Sequence, residues 1–123
     1  MMKKIFVSIL IVIMLVTGIL LPQKAHAVLV SVGTNPTGTT TVYVTNNNSN
    51  SRYMTAAIYQ TNSSGYTSGG TCLASNSKVI LSGYKFSVTA NLSTVPHAYG
   101  KGTQFKGSSY YSGIEASAAK IIK

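Results

Sequence analysis

Residues 84–92 read Tyr-Lys-Phe-Ser-Val-Thr-Ala-Asn-Leu, with apolar and polar positions in strict alternation. Tyr84, Phe86, Val88, Ala90 and Leu92 fall on one side, and Lys85, Ser87, Thr89 and Asn91 on the other. Successive side chains of a strand point to opposite faces, so this pattern predicts a strand with one buried and one wet face. Residues 52–61 repeat it. There Met54, Ala56 and Ile58 share one face, and Tyr53, Thr55, Ala57 and Tyr59 share the other.

Shorter runs complete the set. Residues 28–32 are apolar, and residues 41–45 are β-branched and aromatic, so both read as strands. Residues 71–74 and 78–81 read as two short strands separated by a turn at Asn76 and Ser77. Gly83 then predicts either a hairpin turn at Ser82-Gly83 or a glycine bulge in one longer strand. Residues 103–106 are a short strand candidate. In 109–118, Tyr110, Ser112, Ile114, Ala116 and Ala118 alternate along one side. Ile114, Ala118, Ile121 and Ile122 also fit helical spacing, but Tyr111 and Gly113 favour a strand. Residues 33–40, 46–51, 62–70 and 93–102 are rich in Gly, Pro, Asn and Ser and read as loops. Six or seven short strands divided by turn signals predict an all-β fold, a small antiparallel β-sandwich.

The first 27 residues follow another logic. Two lysines precede an apolar run over 5–21, and a short polar stretch ends in Ala25-His26-Ala27. A basic start, an apolar middle and a small-x-small ending predict a secretory signal peptide cleaved after Ala27. Residues 28–123 then form the single secreted, extracellular domain, with no transmembrane segment. The lysine-led signal points to a bacterial source.

Removing that segment changes the charge. Residues 28–123 keep seven basic side chains (Arg52, Lys78, Lys85, Lys101, Lys106, Lys120 and Lys123) against one acid, Glu115, a net +6. Such an excess attracts polyanions over a long range. The single cysteine, Cys72, has no internal disulfide partner and is expected as a small buried hydrophobe. Packing alone must hold the fold.

The same scarcity narrows the chemistry. One Glu, one His, one Cys and no Asp after residue 27 leave no carboxylate pair for glycoside hydrolysis. They give neither a zinc ligand set nor a calcium ligand set. Gly100-Lys101-Gly102-Thr103 lacks the spacing of a phosphate-cradling loop, and no Gly-x-Ser-x-Gly elbow is present. No catalytic residue, metal or cofactor is expected, and the chain reads as a non-enzyme.

Tyrosine is the enriched recognition side chain, with eight copies and no Trp. Tyrosines on a wet sheet face stack sugars or bases, or sit at a lipid headgroup boundary. Tyr53 and Tyr59 are such candidates, provided their face is open. Lys101 and Lys106, beside Tyr99, are the candidate polyanion contacts. The expected partner is an anionic cell-wall polymer, a polysaccharide or an anionic lipid surface, with no specific nucleic acid. The alternative expectation is a bacteriocin-like or membrane-active toxin.

Overall fold

The computed structural model describes residues 28–33 and 37–123. Segment 1–27, expected to be a signal peptide, and part of the loop expected at 33–40 lie outside the described residues. Among the described residues the fold is all-β. Seven strands run in order: β1 (Leu29–Val32), β2 (Thr39–Thr45), β3 (Arg52–Gln60), β4 (Thr71–Ile80), β5 (Lys85–Asn91), β6 (Ala98–Phe105) and β7 (Ile114–Ile121). One 3-10 turn, Tyr110–Ser112, precedes β7. A three-stranded sheet has the order β1-β2-β5 and a four-stranded sheet the order β4-β3-β6-β7. Every pairing is antiparallel.

The alternating patterns place the core between the two sheets. Val42 and Val44 of β2 and Phe86 and Val88 of β5 face inward from the smaller sheet. Met54, Ala56 and Ile58 of β3 meet them from the larger one, all fully buried. Leu92 and Val95, just beyond β5, join the same apolar cluster. Removing this much apolar surface from water is the main driving force for the fold. The strand pattern at 84–92 therefore holds from Phe86 onward. Tyr84 departs from it: the residue lies ahead of β5 and is exposed.

Three segments differ from the sequence expectation for a tertiary reason, and the C-terminal strand and Cys72 differ as well. First, residues 71–80 form one strand rather than two, running straight through Asn76 and Ser77. Asn76 tolerates the strand interior because its side-chain amide donates to the Ser87 carbonyl of β5, linking the two sheets. Second, β4 and β5 are neither a hairpin nor one bulged strand, because they belong to different sheets. The turn at 81–84 carries the chain from one sheet to the other, closed by Tyr84 N–H donating to the Leu81 carbonyl. Gly83 takes a φ of +80° there, a conformation that needs no Cβ.

Third, the expected loop 93–102 contains more than half of β6, a central strand in which Lys101 alone is not buried. Its glycines are inward-facing residues. Gly100 lies under Val42, and Gly102 under Val30 and Val44, with no space for a side chain. The short strand at 103–106 is the end of this same element. At the C-terminus, the strand expected over 109–118 begins later, at Ile114, and runs on to Ile121, while Tyr110 and Ser112 belong to the 3-10 turn. Cys72, expected to be buried, is an exposed free thiol on the edge strand β4.

Candidate functional site

The outer face of the four-stranded sheet gathers most of the candidate residues. Strand register defines it. Tyr59 is opposite Tyr99, Ala57 opposite Lys101, and Thr55 opposite Thr103. On the far side of β6, Lys101 is opposite Ala119 and Thr103 opposite Ser117. On the far side of β3, Ser75 and Ser77 continue the rows. The centre of the face is therefore small and rich in hydroxyls, and Lys101 is the long side chain within it.

Aromatic rings stand at both ends of the face. At one end Tyr59 stacks on Tyr99 with centroids 5.2 Å apart and planes 13° from parallel. The Tyr99 hydroxyl donates to the Gly69 carbonyl at 2.7 Å, which ties the 61–70 loop to the sheet. Tyr99 is only 1% exposed. Burial pushes its phenol above the ordinary tyrosine range, and nearby Tyr59 and Cys72 add to the shift. The buried ring supports the half-buried Tyr59 and offers little surface of its own to a ligand.

At the other end Tyr53 packs edge-on against Phe105 at 5.0 Å and against Tyr110 at 6.1 Å. Tyr111 meets Tyr110 edge-on and is 94% exposed. The 3-10 turn that presents the two tyrosines is capped by Ser109, whose hydroxyl accepts from Tyr111 N–H. Ser112 closes it again, accepting from Gly107 N–H and donating to the Ser109 carbonyl. Tyr110 and Tyr111 were not among the sequence candidates. The Ser-Ser-Tyr-Tyr-Ser-Gly run at 108–113 carried the signal, since serine side chains there bond locally to backbone and organise turns.

Lys106 lies just past the end of β6 and is exposed, so its place is beside the second aromatic group, away from Tyr99. Its backbone carbonyl accepts from the Arg52 guanidinium. Arg52 also stands 4.0 Å from the Glu115 carboxylate. Glu115 in turn accepts from the Gln104 amide at 2.5 Å, and Gln104 pairs with the buried Asn48. Asn48 donates to Asn46. Both asparagines belong to the 46–51 loop, and Asn46 is anchored further by its amide, which donates to the carbonyls of Asn50 and Ile80.

This network has an electrostatic result. The single side-chain carboxylate of residues 28–123 faces a guanidinium and a buried amide, and the exposed charged side chains are cationic. Among the described residues, no group of three or more His, Cys, Asp or Glu stands close enough to hold a metal ion. No helix among them is long and apolar enough to cross a membrane.

No family model matches the chain, and no curated protein matches it. Among solved structures it is similar to DesR, a β-glucosidase from Streptomyces venezuelae in complex with D-glucose. The identity is 17% and the TM-score 0.29, over 79% of this chain and 14% of that one. The chain thus spans about a seventh of that enzyme's length, and a likeness of this size carries no argument about fold or activity.

Proposed function

We propose that residues 28–123 are a secreted, non-enzymatic binding protein whose ligand is an extracellular or cell-envelope polyanion or surface polymer. The contact surface in this reading is the outer face of the four-stranded sheet. The observation that supports it is the position of Lys101: a cation among small hydroxyl side chains, on a face bordered by tyrosines, with the one carboxylate occupied inside a polar network. A flat strip of this kind suits an extended polymer. Anionic groups would meet Lys101 and Lys106, and the less polar parts of the chain would lie against Tyr53, Tyr59, Tyr110 and Tyr111.

The test is binding to an acidic wall polymer, teichoic acid for example, across a salt series. The Debye length shrinks from about 30 Å at 0.01 M to about 8 Å at 0.15 M, so affinity should fall steeply over that range. Lys101→Gln with Lys106→Gln should weaken binding and leave the unfolding midpoint nearly unmoved. Tyr111→Ala reads the aromatic contribution. No binding at low salt, or unchanged binding by the double lysine variant, overturns the proposal. Binding that persists at high salt and depends on Tyr53 or Tyr59 indicates a neutral sugar instead.

Export is part of the same proposal. Sequencing the N-terminus of protein recovered from medium should give Val28-Leu29-Val30, and a retained Met1 would contradict it.

A further inference from the structure

The corner where the chain passes from β4 to β5 has a different chemistry from the sheet face. Val79, Leu81 and Tyr84 are 47%, 58% and 64% exposed. They line one open crevice together with Ile80, Lys78 and Lys85. Leu81 and Tyr84 are the first and last residues of the turn, so their side chains leave the molecule close together. The turn is fixed from several directions. Gly83 N–H donates to the Asn46 carbonyl at 2.9 Å, and the Ser82 hydroxyl donates to the Asn48 carbonyl at 2.5 Å. The ammonium of Lys85 rests 4.8 Å from the centre of the Tyr43 ring, on the outer face of the smaller sheet. The turn and the Lys85 ammonium are thus ordered before any partner arrives, which lowers the entropic cost of docking.

We propose that this corner is a peripheral docking surface for an anionic lipid bilayer. Leu81 and Tyr84 enter the headgroup layer, and Lys78 and Lys85 meet the lipid phosphates. A hydrophilic polyanion would satisfy the two lysines but offers nothing to Leu81 and Val79. A bilayer interface takes all of them: the apolar tip below the headgroups, the tyrosine at their level and the cations at the anionic surface. The inference rests on the polyanion reading only for the sign of the partner's charge, and it uses different residues.

The experiment is flotation of the purified protein with dye-loaded vesicles of phosphatidylcholine, alone or with one-third phosphatidylglycerol. Binding is expected to the anionic vesicles only, without dye release. Lys78→Gln and Lys85→Gln should each lower the partition coefficient about fivefold. Leu81→Ser with Tyr84→Ser should lower it about tenfold or more. Leu81→Trp supplies a probe in a chain with no other tryptophan. Its emission should shift to the blue and be quenched by brominated lipid.

Indole emission from the Leu81→Trp variant that brominated lipid leaves unquenched overturns the proposal, as do corner variants that float like the parent. So does dye release, which would mark a membrane-perturbing toxin. If anionic vesicles are ignored while the acidic polymer still binds, the docking surface fails and the polymer reading stands. If both are ignored at low salt, both fail.

Discussion

Gly100 of β6 and Val42 of β2 face each other across the two sheets, and no methyl group fits between them: a Cβ on Gly100 would lie 2.7 Å from Val42 Cγ2. Gly100→Ala should therefore destabilise by about 1–3 kcal/mol through overpacking. Gly100 has no positive φ, so the cost is steric and should be relieved by making room opposite. Denaturant midpoints of Gly100→Ala, Val42→Ala and the double variant measure this. The expected double-variant loss is smaller than the sum of the single losses; additive losses would mean that the contact is not the cause.

Phe86 and Lys85 are adjacent on β5 and point to opposite faces. Phe86→Ala removes a buried ring and should cost about 3–5 kcal/mol. Lys85→Ala loses an exposed contact with the Tyr43 ring and should cost about 1 kcal/mol or less. Equal losses in urea titrations would contradict the inward and outward assignment.

The fully buried Gln104 connects Asn48 to Glu115. Gln104→Leu fills similar space but takes one partner from the Asn48 amide, which keeps Asn46, and one from the Glu115 carboxylate, which keeps Arg52. A lost buried hydrogen bond costs about 1–3 kcal/mol. The variant should therefore lose about 1–3 kcal/mol, a sizeable part of the stability of a small fold. Adding Asn48→Ala should cost less in the Gln104→Leu background than in the parent, which thermal or urea unfolding would register.

Tyr99 gives the protein an alkaline limit. Its phenol is held above the ordinary value, so the folded state keeps the proton more tightly than the unfolded chain does. The corresponding stability is fully present below about pH 10, the unfolded value, and is lost as pH rises through the folded one. Tyr99→Phe removes this dependence along with the hydrogen bond to Gly69, at a cost of about 1 kcal/mol near neutrality. Urea midpoints of parent and variant should therefore converge above pH 10. Parallel curves would show that the proton on Tyr99 is not linked to folding.

Cys72 is exposed on an edge strand, so a thiol reagent should label the native protein to one equivalent without denaturant. Cys72→Ser should leave the unfolding midpoint within about 0.5 kcal/mol. Labelling that needs denaturant would show the thiol to be covered.

The sequence made the fold legible wherever one strand carried its own period. Phe86 and Val88 on one strand and Met54, Ala56 and Ile58 on another could be assigned to the core from alternation alone. The misreadings at Gly100, Gly102 and Asn76 involve partners distant in sequence. Gly100 and Gly102 look like turn residues until Val42 and Val44 are seen above them. Asn76 looks like a breaker until the Ser87 carbonyl appears opposite. The candidate site divides in the same way. Tyr53 and Tyr59 share the outer face because period two requires it. Lys101 joins them only when the 93–102 segment is a strand, and that depends on the opposite sheet. Tyr110 and Tyr111 reach the face through a 3-10 turn that no alternation encodes.

The chain changes sheets between β2 and β3, between β4 and β5, and again between β5 and β6. β2 therefore waits for β5: Thr39 is paired with Asn91, and everything between them must be made before the smaller sheet gains its third strand. Until then β1 and β2 are a lone hairpin, marginal in water, and the larger sheet lacks its last strand until Ile121 arrives. A polypeptide delivered N-terminus first can thus complete the smaller sheet only after Asn91 and the larger one only after Ile121. Pairing over such separations is slow, in the millisecond-to-second range, so the chain stays open and threadable for most of its passage through any narrow channel.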